Sequence, residues 1–301
     1  MEVLEEIIIN YCDDSKYFII FDELDEDYKD FPSPEEKEKY MSMLTSLFKA
    51  VQDIISISDS YDKHILPVVF LRSDIYDLIK DSDKNKWNES VINLEWDTTQ
   101  IKRMLAHRIC VAINENDLPF EEAWNILFKD QPIRMGHRKN IKMELYNFIE
   151  RSTEMRPRDF IKYIKECVIL ANNRSEKRIS PQIVKDADDN FSEYLKDETI
   201  DEVYAVLPEI NEILGLLSTI RKQSFQFDDF EMEYNNLINR GVVQKRDVRQ
   251  ILLILFNVGV IGNEPLMKGQ TIFSFSKKRP RFNYTETIRV HRGLFKALQI
   301  F

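Results

Sequence analysis

The stretch YFIIFDELDEDY, from Tyr17 to Tyr28, decides how the first third of this chain is interpreted. Its first five residues are aromatic or β-branched, which is typical of a buried β-strand. Two carboxylates, Asp22 and Glu23, follow directly at the end of the predicted strand. They either form a Mg²⁺-nucleotide site at the carboxyl end of a parallel strand or simply solvate the entrance of a loop.

The length and composition of the chain exclude several classes of protein. The chain has 301 residues, 43% of them hydrophobic, which is enough for two or three globular units. Its longest apolar run, Ile251 to Gly262, is shorter than the ~20 residues that a membrane-spanning helix needs, and the N-terminus is acidic, unlike a signal peptide. We therefore expect a cytoplasmic protein with no membrane span. Cys12, Cys110 and Cys167 lie too far apart in sequence to predict a disulfide framework or a zinc cluster.

Two domains are predicted from the periodicity of the first two thirds. Residues 1–97 alternate helix and strand, and the strands are continuous apolar runs, which indicates a parallel α/β sheet. The predicted strands are residues 17–21, 65–73 and 90–96. Asp97 and Gln100 then frame a capping box, and residues 98–198 show only helical periodicity. We therefore expect an all-helical second domain.

The third predicted domain, residues 199–301, has the pattern of a winged helix: three helices, then strand-like runs at 271–276 and 287–291. From residue 240 onward there are twelve basic and three acidic residues, a net charge of +9, which leaves −19 on the rest of the chain. Such a tail docks either on nucleic acid or on protein, including the chain's own acidic body. The apolar third helix argues against base reading, so only non-specific phosphate contacts are expected on DNA. The candidate contacts are Lys277, Lys278, Arg279 and Arg281.

Further polar residues are expected near the two carboxylates. Arg72 and Ser73 end the second predicted strand and would share the carboxyl edge of the sheet, where ligands of open α/β sheets bind. Arg72 either senses a phosphate or pairs with nearby acids. Arg158 follows Pro157 at a predicted helix start, where backbone N–H groups favour anions. It either reaches a phosphate or pairs with a neighbouring acid such as Asp159.

Five runs together resemble the bacterial P-loop ATPases related to AAA+ and STAND proteins. They are FIIFDELD, VVFLRSDIYDLI, NKWNESVINLEW, MRPRDFIKYI and KKRPRFNYTETIRVHRGLFKAL. The resemblance implies an ATPase core, a helical lid and a C-terminal winged helix, with ATP and Mg²⁺ as ligands. It implies Asp22 on Mg²⁺ and Glu23 on the attacking water, as the Walker B pair. It also places Arg72 and Ser73 at the first sensor and Arg158 at the second.

One departure from that family is large. The phosphate-binding loop G-x-x-x-x-G-K-[ST] is absent, and the first glycine in the chain is Gly136. By the resemblance, the predicted strands are strands three to five, and strand one, which carries the loop, is missing between four and five. Either another chain or segment supplies the Walker A strand, or the remaining strands pair with one another across the gap, or this is a truncated ATPase. Alone, the chain is expected to hydrolyse ATP poorly or not at all.

Two further expectations concern the state and class of the protein. Self-association into a homo-oligomer is one partner state that we consider. The rival to a nucleotide-driven ATPase is a non-catalytic interaction module, whose basic winged helix binds DNA or a protein partner. In that case Asp22 and Glu23 would be relics of an ancestral site.

Overall fold

The computed structural model describes most of the chain in two compact units, Met1–Leu94 and Glu95–Phe301, which are treated separately below. The described residues are 6–7, 10–24, 34–136, 140–204, 206–265, 271–276 and 280–300. Among them, each helix is too short or too polar to cross a membrane.

The first unit contains a parallel pair of strands, with helices between and after them. Its elements are β1 (Lys16–Phe21), α1 (Pro34–Ser60), β2 (His64–Val69), α2 (Ser73–Leu78), α3 (Lys84–Trp87) and a 3-10 turn (Asn88–Ser90). The strands pair in parallel over six residue pairs, from Lys16 opposite His64 to Phe21 opposite Val69. A long helix between two parallel strands is the connection that a parallel pair requires.

The predicted third strand is wrong as local structure. Residues 91–97 have neither helix nor strand, and this apolar run has no strand partner among the described residues. Ile92 and Leu94 are 84% and 73% exposed. An apolar run becomes a strand only when a neighbour pairs with its backbone, so the sequence pattern alone did not suffice.

The small core of the first unit lies among its helices. Tyr40 and Leu44 of α1 pack with Ile75, Ile79 and Trp87. The strands contribute little to this core: Phe18 and Ile20 of β1 are 61% and 62% exposed. The sheet therefore presents apolar side chains to solvent.

The outer edges of the two strands differ in their capacity to pair. Phe70 N donates a hydrogen bond to Phe21 O over 2.8 Å, so both groups point inward between the strands. Because the backbone groups of successive residues alternate in direction, Phe18 and Ile20 point outward from β1, and Pro67 points outward from β2. Since proline has no N–H, the outer edge of β2 lacks one donor and that of β1 is complete.

The second unit begins with helices around one hairpin. Its first elements are α4 (Thr98–Ile113), α5 (Phe120–Leu127), β3 (Ile133–Met135), β4 (Ile141–Met143), α6 (Leu145–Glu150), α7 (Pro157–Asn173) and α8 (Pro181–Val203). The predicted capping box is confirmed: Gln100 N donates to Asp97 Oδ1 over 2.8 Å, and Asp97 N donates to Gln100 Oε1 over 3.0 Å. The all-helical prediction is wrong at β3 and β4, which pair antiparallel, because three-residue strands are too short to show alternation.

The rest of the unit runs in the order helix, strand, helix, helix, strand, strand. These elements are α9 (Ile210–Ile220), β5 (Ser224–Phe225), α10 (Phe227–Asn239), α11 (Val248–Asn257), β6 (Ile261–Glu264), β7 (Thr287–Val290) and a 3-10 turn (Arg292–Leu294). The sheet is antiparallel, in the order β5-β7-β6. The strand expected at 271–276 is reduced to one bridge between Ile272 and Asn263. The apolar run Ile251–Gly262 does not stay helical: α11 ends at Asn257, Gly259 has a φ of +78°, and β6 begins at Ile261.

One large hydrophobic core and a small separate cluster of Ala106, Cys110 and Ala123 lie in the second unit, and the large core connects its regions. It joins Phe160 of α7 and Phe191 of α8 to Leu214 of α9, Phe256 of α11 and Leu294 of the last turn. The domain boundary expected between residues 198 and 199 falls inside α8, so the helical region (95–203) and the C-terminal region (206–300) are packed as one body.

Candidate functional site

The parallel pairing brings the first four predicted site residues to one edge of the first unit. Asp22 and Glu23 follow β1, and Arg72 and Ser73 lie just beyond β2. Because the strands run in the same direction, both segments leave at the carboxyl edge, where α/β sheets bind their ligands. The geometry thus groups two carboxylates, one guanidinium and one hydroxyl residue at this edge.

The two carboxylates lie on a short, anchored turn. Both are exposed, and Asp22 Oδ1 accepts a hydrogen bond from Glu23 N over 2.9 Å. Glu23 has a left-handed φ of +60°, which is uncommon outside glycine, asparagine and aspartate. At the next residue, the Tyr40 hydroxyl of α1 donates to Leu24 O. The turn after β1 is therefore tied to the helical core of the unit.

Arg72 and Ser73 lie where α2 begins. Ser73 is the first residue of the helix, and Arg72 precedes it with an extended backbone and no side-chain cap. Tyr76 N donates to Arg72 O over 3.0 Å, which fixes the start of the helix. Arg72 is half-buried and Ser73 is exposed. The hydroxyl residue is thus the more accessible of the two from solvent.

The donor set at this edge suits one half of a Mg²⁺-nucleotide site. An exposed carboxylate such as Asp22 suits a hydrated Mg²⁺ ion, which keeps several waters and uses one or two carboxylates. The phosphate half does not fit. A cradle of backbone N–H groups needs glycine, and the first unit has none. Among the described residues there is also no group of three or more His, Cys, Asp or Glu side chains that could hold a metal ion.

The predicted second sensor belongs to the other unit. Arg158 lies in the first turn of α7, is exposed, and has Nη1 3.3 Å from Glu198 Oε2 of α8. The neighbouring Arg156 has Nη2 3.0 Å from Glu154 Oε2 and Nη1 3.9 Å from Glu202 Oε2. The arginines at the start of α7 are thus paired with acids within the unit.

The basic tail is partly neutralised by acids of its own unit. Arg292 pairs with Asp188 at 2.8 Å and Lys296 with Asp189 at 3.2 Å, both on α8. Two further pairs are Arg246 with Glu209 at 3.5 Å and Arg289 with Glu264 at 3.2 Å.

Other basic residues of the tail stay exposed. Arg281 and Lys245 have no ion pair among the described residues, and Arg249 Cζ lies 5.4 Å from the centre of the Tyr284 ring. Lys277, Lys278 and Arg279 lie outside the described residues. The described part of the tail is therefore divided between internal ion pairs and exposed cations.

A buried polar cluster was missed by the sequence reasoning. Asp188 of α8 is 1% exposed; its Oδ1 accepts from Ser152 Oγ at 3.3 Å and Tyr163 Oη at 3.2 Å, and its Oδ2 accepts from Arg292 Nη2 at 2.8 Å. Burial, with Arg292 nearby, lowers the pKa of Arg151 to about 10. The sequence did contain a sign of this cluster, because the acidic residue Asp188 occupies a position in the apolar stripe of α8. That stripe comprises Val184, Ala187, Asp188, Phe191 and Leu195.

Part of the chain matches a known protein family. No curated protein matches the chain. Residues 99–199 are similar to the FunZ-associated C-terminal helical domain, a family whose description names a helical fold and no activity. The match covers about a third of the chain, within the second unit.

Proposed function

We propose that this chain carries the Mg²⁺ and water side of a P-loop ATPase site of the STAND/AAA+-like group. The observation that carries the proposal is the parallel register of β1 and β2, which places Asp22 and Arg72 at the same carboxyl edge. The edge has the donor set for a hydrated Mg²⁺ ion, and its phosphate cradle has to come from a different segment. The chain is then a component of a nucleotide switch, and its site is completed by that segment.

The run at residues 91–94, which forms no strand, supports this proposal. If β2 and this run were neighbours in a sheet without a gap, the run would pair with the outer edge of β2. Instead Ile92 and Leu94 are 84% and 73% exposed. A missing strand inserted between β2 and residues 91–94 would account for the absence of this pairing. That is the place of the strand that carries the phosphate loop in the family sheet.

The inserted strand would meet an imperfect edge. Pro67 removes one donor from the outer side of β2, and the Ile65 N–H already donates to Ser58 Oγ over 2.9 Å. An added strand would therefore pair with β2 fully only at Val69, unless Ser58 releases Ile65. The partner is therefore a chain or segment that supplies an apolar strand ending in a glycine-rich loop.

In the completed site, this chain's residues would have distinct tasks. The bound Mg²⁺ would neutralise phosphate charge. Asp22 would hold the ion through its water shell, and Glu23 would orient or deprotonate the attacking water. Arg72 and Ser73 would contact phosphate oxygens from the second strand. Arg158 would reach phosphate only by leaving its exposed pairing with Glu198, which is a weak contact.

The same proposal covers the rest of the chain. The helical region would act as a lid over ATP. The C-terminal region would act as a winged helix, and its element order and β5-β7-β6 sheet support that interpretation. We place the protein in the cytoplasm, where ATP and Mg²⁺ are available, and consider a homo-oligomer as one assembled form.

The first test is binding of Mg²⁺-ATP to the full chain by calorimetry. Asp22→Ala is compared with Asp14→Ala, an exposed aspartate at the opposite end of β1. We expect at most weak binding, lost on omission of Mg²⁺ and in Asp22→Ala only. Binding that is equal in both variants would place any nucleotide site elsewhere in the chain.

The second test is ATP turnover by the chain purified from its native cells together with whatever completes its sheet. Glu23→Gln removes the base and should abolish turnover, whereas Glu89→Gln, an exposed glutamate beyond α3, should leave it unchanged. Turnover that survives Glu23→Gln contradicts the assignment. So does an assembly that brings no glycine-rich segment and no ATPase activity.

A second candidate function rests on the C-terminal region. We propose as the alternative a non-catalytic module that holds DNA phosphates or a protein partner through its wing. The exposed Arg281 and Lys245, which lack ion pairs among the described residues, favour it. Salt-sensitive DNA binding without nucleotide is its test. Arg281→Ala should weaken binding at every sequence, and Lys296→Ala, whose cation is paired with Asp189, should change it less.

A further inference from the structure

The helical and C-terminal regions meet in the segment 152–154, which we call the joint. A Cβ built on Gly293 would lie 2.3 Å from Ser152 O, and one built on Gly259 would lie 2.7 Å from Glu154 Oε1. Two glycines of the C-terminal region therefore contact the two ends of the joint, without room for an added methyl group at either glycine.

Glu154 is an unusual residue for such a joint. Its side chain is 4% exposed, and Oε2 has no hydrogen bond although Arg156 Nη2 lies 3.0 Å away. A buried charge without hydrogen bonds is costly, whereas a protonated carboxyl in the same place is not. Burial accordingly raises the pKa of Glu154 to about 8, against a smaller lowering by the Arg156 guanidinium.

Apart from Arg156, the surroundings of Glu154 favour its neutral form. Asp159 of α7 and Glu202 of α8 each raise its pKa further by their negative charge. On the C-terminal side it meets Gly259, beside the Phe275 ring, which offers no charge. His291 in the same region is fully buried, and burial lowers its pKa to about 4, so this ring is neutral wherever Glu154 titrates. Arg156 is the sole nearby cation among the groups that act on Glu154.

We propose that Glu154 is a proton-operated latch, closed while its carboxyl is protonated against Gly259 and loosened when the carboxyl ionises. In the closed state the neutral side chain fills the space against the glycine. Ionisation favours a state in which Oε1 leaves Gly259 for water while Oε2 stays beside Arg156. Since Gly259 lies at the turn between α11 and β6, the movement would loosen the C-terminal region from the joint. The latch does not depend on nucleotide, and so goes beyond the ATPase proposal.

Hydrogen exchange on the full chain between pH 6 and 9 tests the latch. Amides on both sides of Gly259 and around His291 should lose protection as the pH rises from 6 to about 8, by about tenfold per pH unit after correction for intrinsic exchange, and the loss should level off above pH 8, where both states are ionised. Glu154→Gln keeps the shape without the charge and should stay protected up to pH 9. Glu198→Gln, an exposed glutamate on α8, should behave as the wild type does.

Two results would overturn the proposal. One is a loss of protection that is the same in wild type and Glu154→Gln; the other is protection that does not change with pH in the wild type. Carboxyl-labelled glutamate followed by NMR gives a check that needs no variant. One glutamate should titrate near pH 8, and the latch is excluded if every glutamate carboxyl titrates below pH 6.

Discussion

The two units of this chain treat their apolar residues in opposite ways. In the first unit, β1 presents Phe18 and Ile20 to solvent on a sheet of two strands. In the second unit one large core dominates, and even the carboxylate of Asp188 is enclosed and bonded. The contrast shows that the described part of the second unit encloses its apolar and charged side chains, whereas the first unit leaves apolar side chains of a two-stranded sheet exposed, as the proposed missing strand requires.

The largest expected effect is removal of the buried carboxylate of the second unit. Asp188→Ala leaves Arg292 and Arg151 close together without their shared counter-ion, and should lower the free energy of unfolding by about 3–5 kcal/mol. The neighbouring Asp189→Ala breaks an exposed pair with Lys296 and should cost under about 1 kcal/mol. Urea denaturation followed by circular dichroism compares them. Equal losses for the two variants would mean that the cluster does not hold the unit together.

Acid sensitivity should follow from His291. Its pKa is lowered to about 4 in the folded protein, from about 6.5 when unfolded, because the buried ring is kept neutral. The unfolded chain therefore binds the extra proton first, and stability falls as pH drops from about 6.5 to 4, by about 1.4 kcal/mol per pH unit. Below pH 4 this contribution levels off.

The matched variants for that prediction are His291→Phe and His107→Phe. The first removes the titrating ring and should flatten the slope between pH 6.5 and 4, because no proton uptake then accompanies unfolding. His107 is exposed and lies 2.9 Å from Asp117, and its replacement should leave the slope as it is. Stability is measured by urea denaturation at each pH. An unchanged slope in His291→Phe would show that other groups cause the acid sensitivity.

Substitution by alanine should change the free energy of unfolding in opposite directions at two glycines of the second unit. Gly293→Ala forces a Cβ to within 2.3 Å of Ser152 O, a backbone atom that cannot yield cheaply, and should cost about 1–3 kcal/mol. Gly215→Ala lies inside α9 with nothing within 4 Å, and should stabilise by about 0.5–1 kcal/mol. Thermal melting of both variants gives the comparison. A Gly293→Ala protein as stable as the wild type would show that the joint is loosely packed.

The sequence predicted those features that depend on neighbours along the chain. The capping box of Asp97 and Gln100 and the helices on either side of Pro157 follow from local chemistry, and they are present. Features that depend on distant residues were not predictable. The stripe on α8 predicted its buried face, but not that Asp188 on it would meet Arg292, which is 104 residues away.

In the candidate site, too, the features set by local sequence were predictable and those set by distant residues were not. Apolar runs ending in polar residues predicted that Asp22 and Arg72 share a sheet edge, because parallel strands impose it. The apolar pattern of residues 90–96 could not predict whether they form a strand, because a strand also needs a partner backbone. The joint at 152–154 was equally invisible, because its glycines contact it from more than 100 residues further along the chain.

The smallest expected effect is also the one that bears most directly on the open sheet. Phe18→Ser in the chain alone should change the free energy of unfolding by less than about 1 kcal/mol, because the ring is already 61% exposed. Leu44→Ala, in the core of the same unit and fully buried, should cost about 2–5 kcal/mol. In an assembly that completes the sheet, the Phe18 ring would be covered and the same serine would weaken association. A large loss in the isolated chain would instead show that β1 is already covered, and the contrast between the two units would disappear.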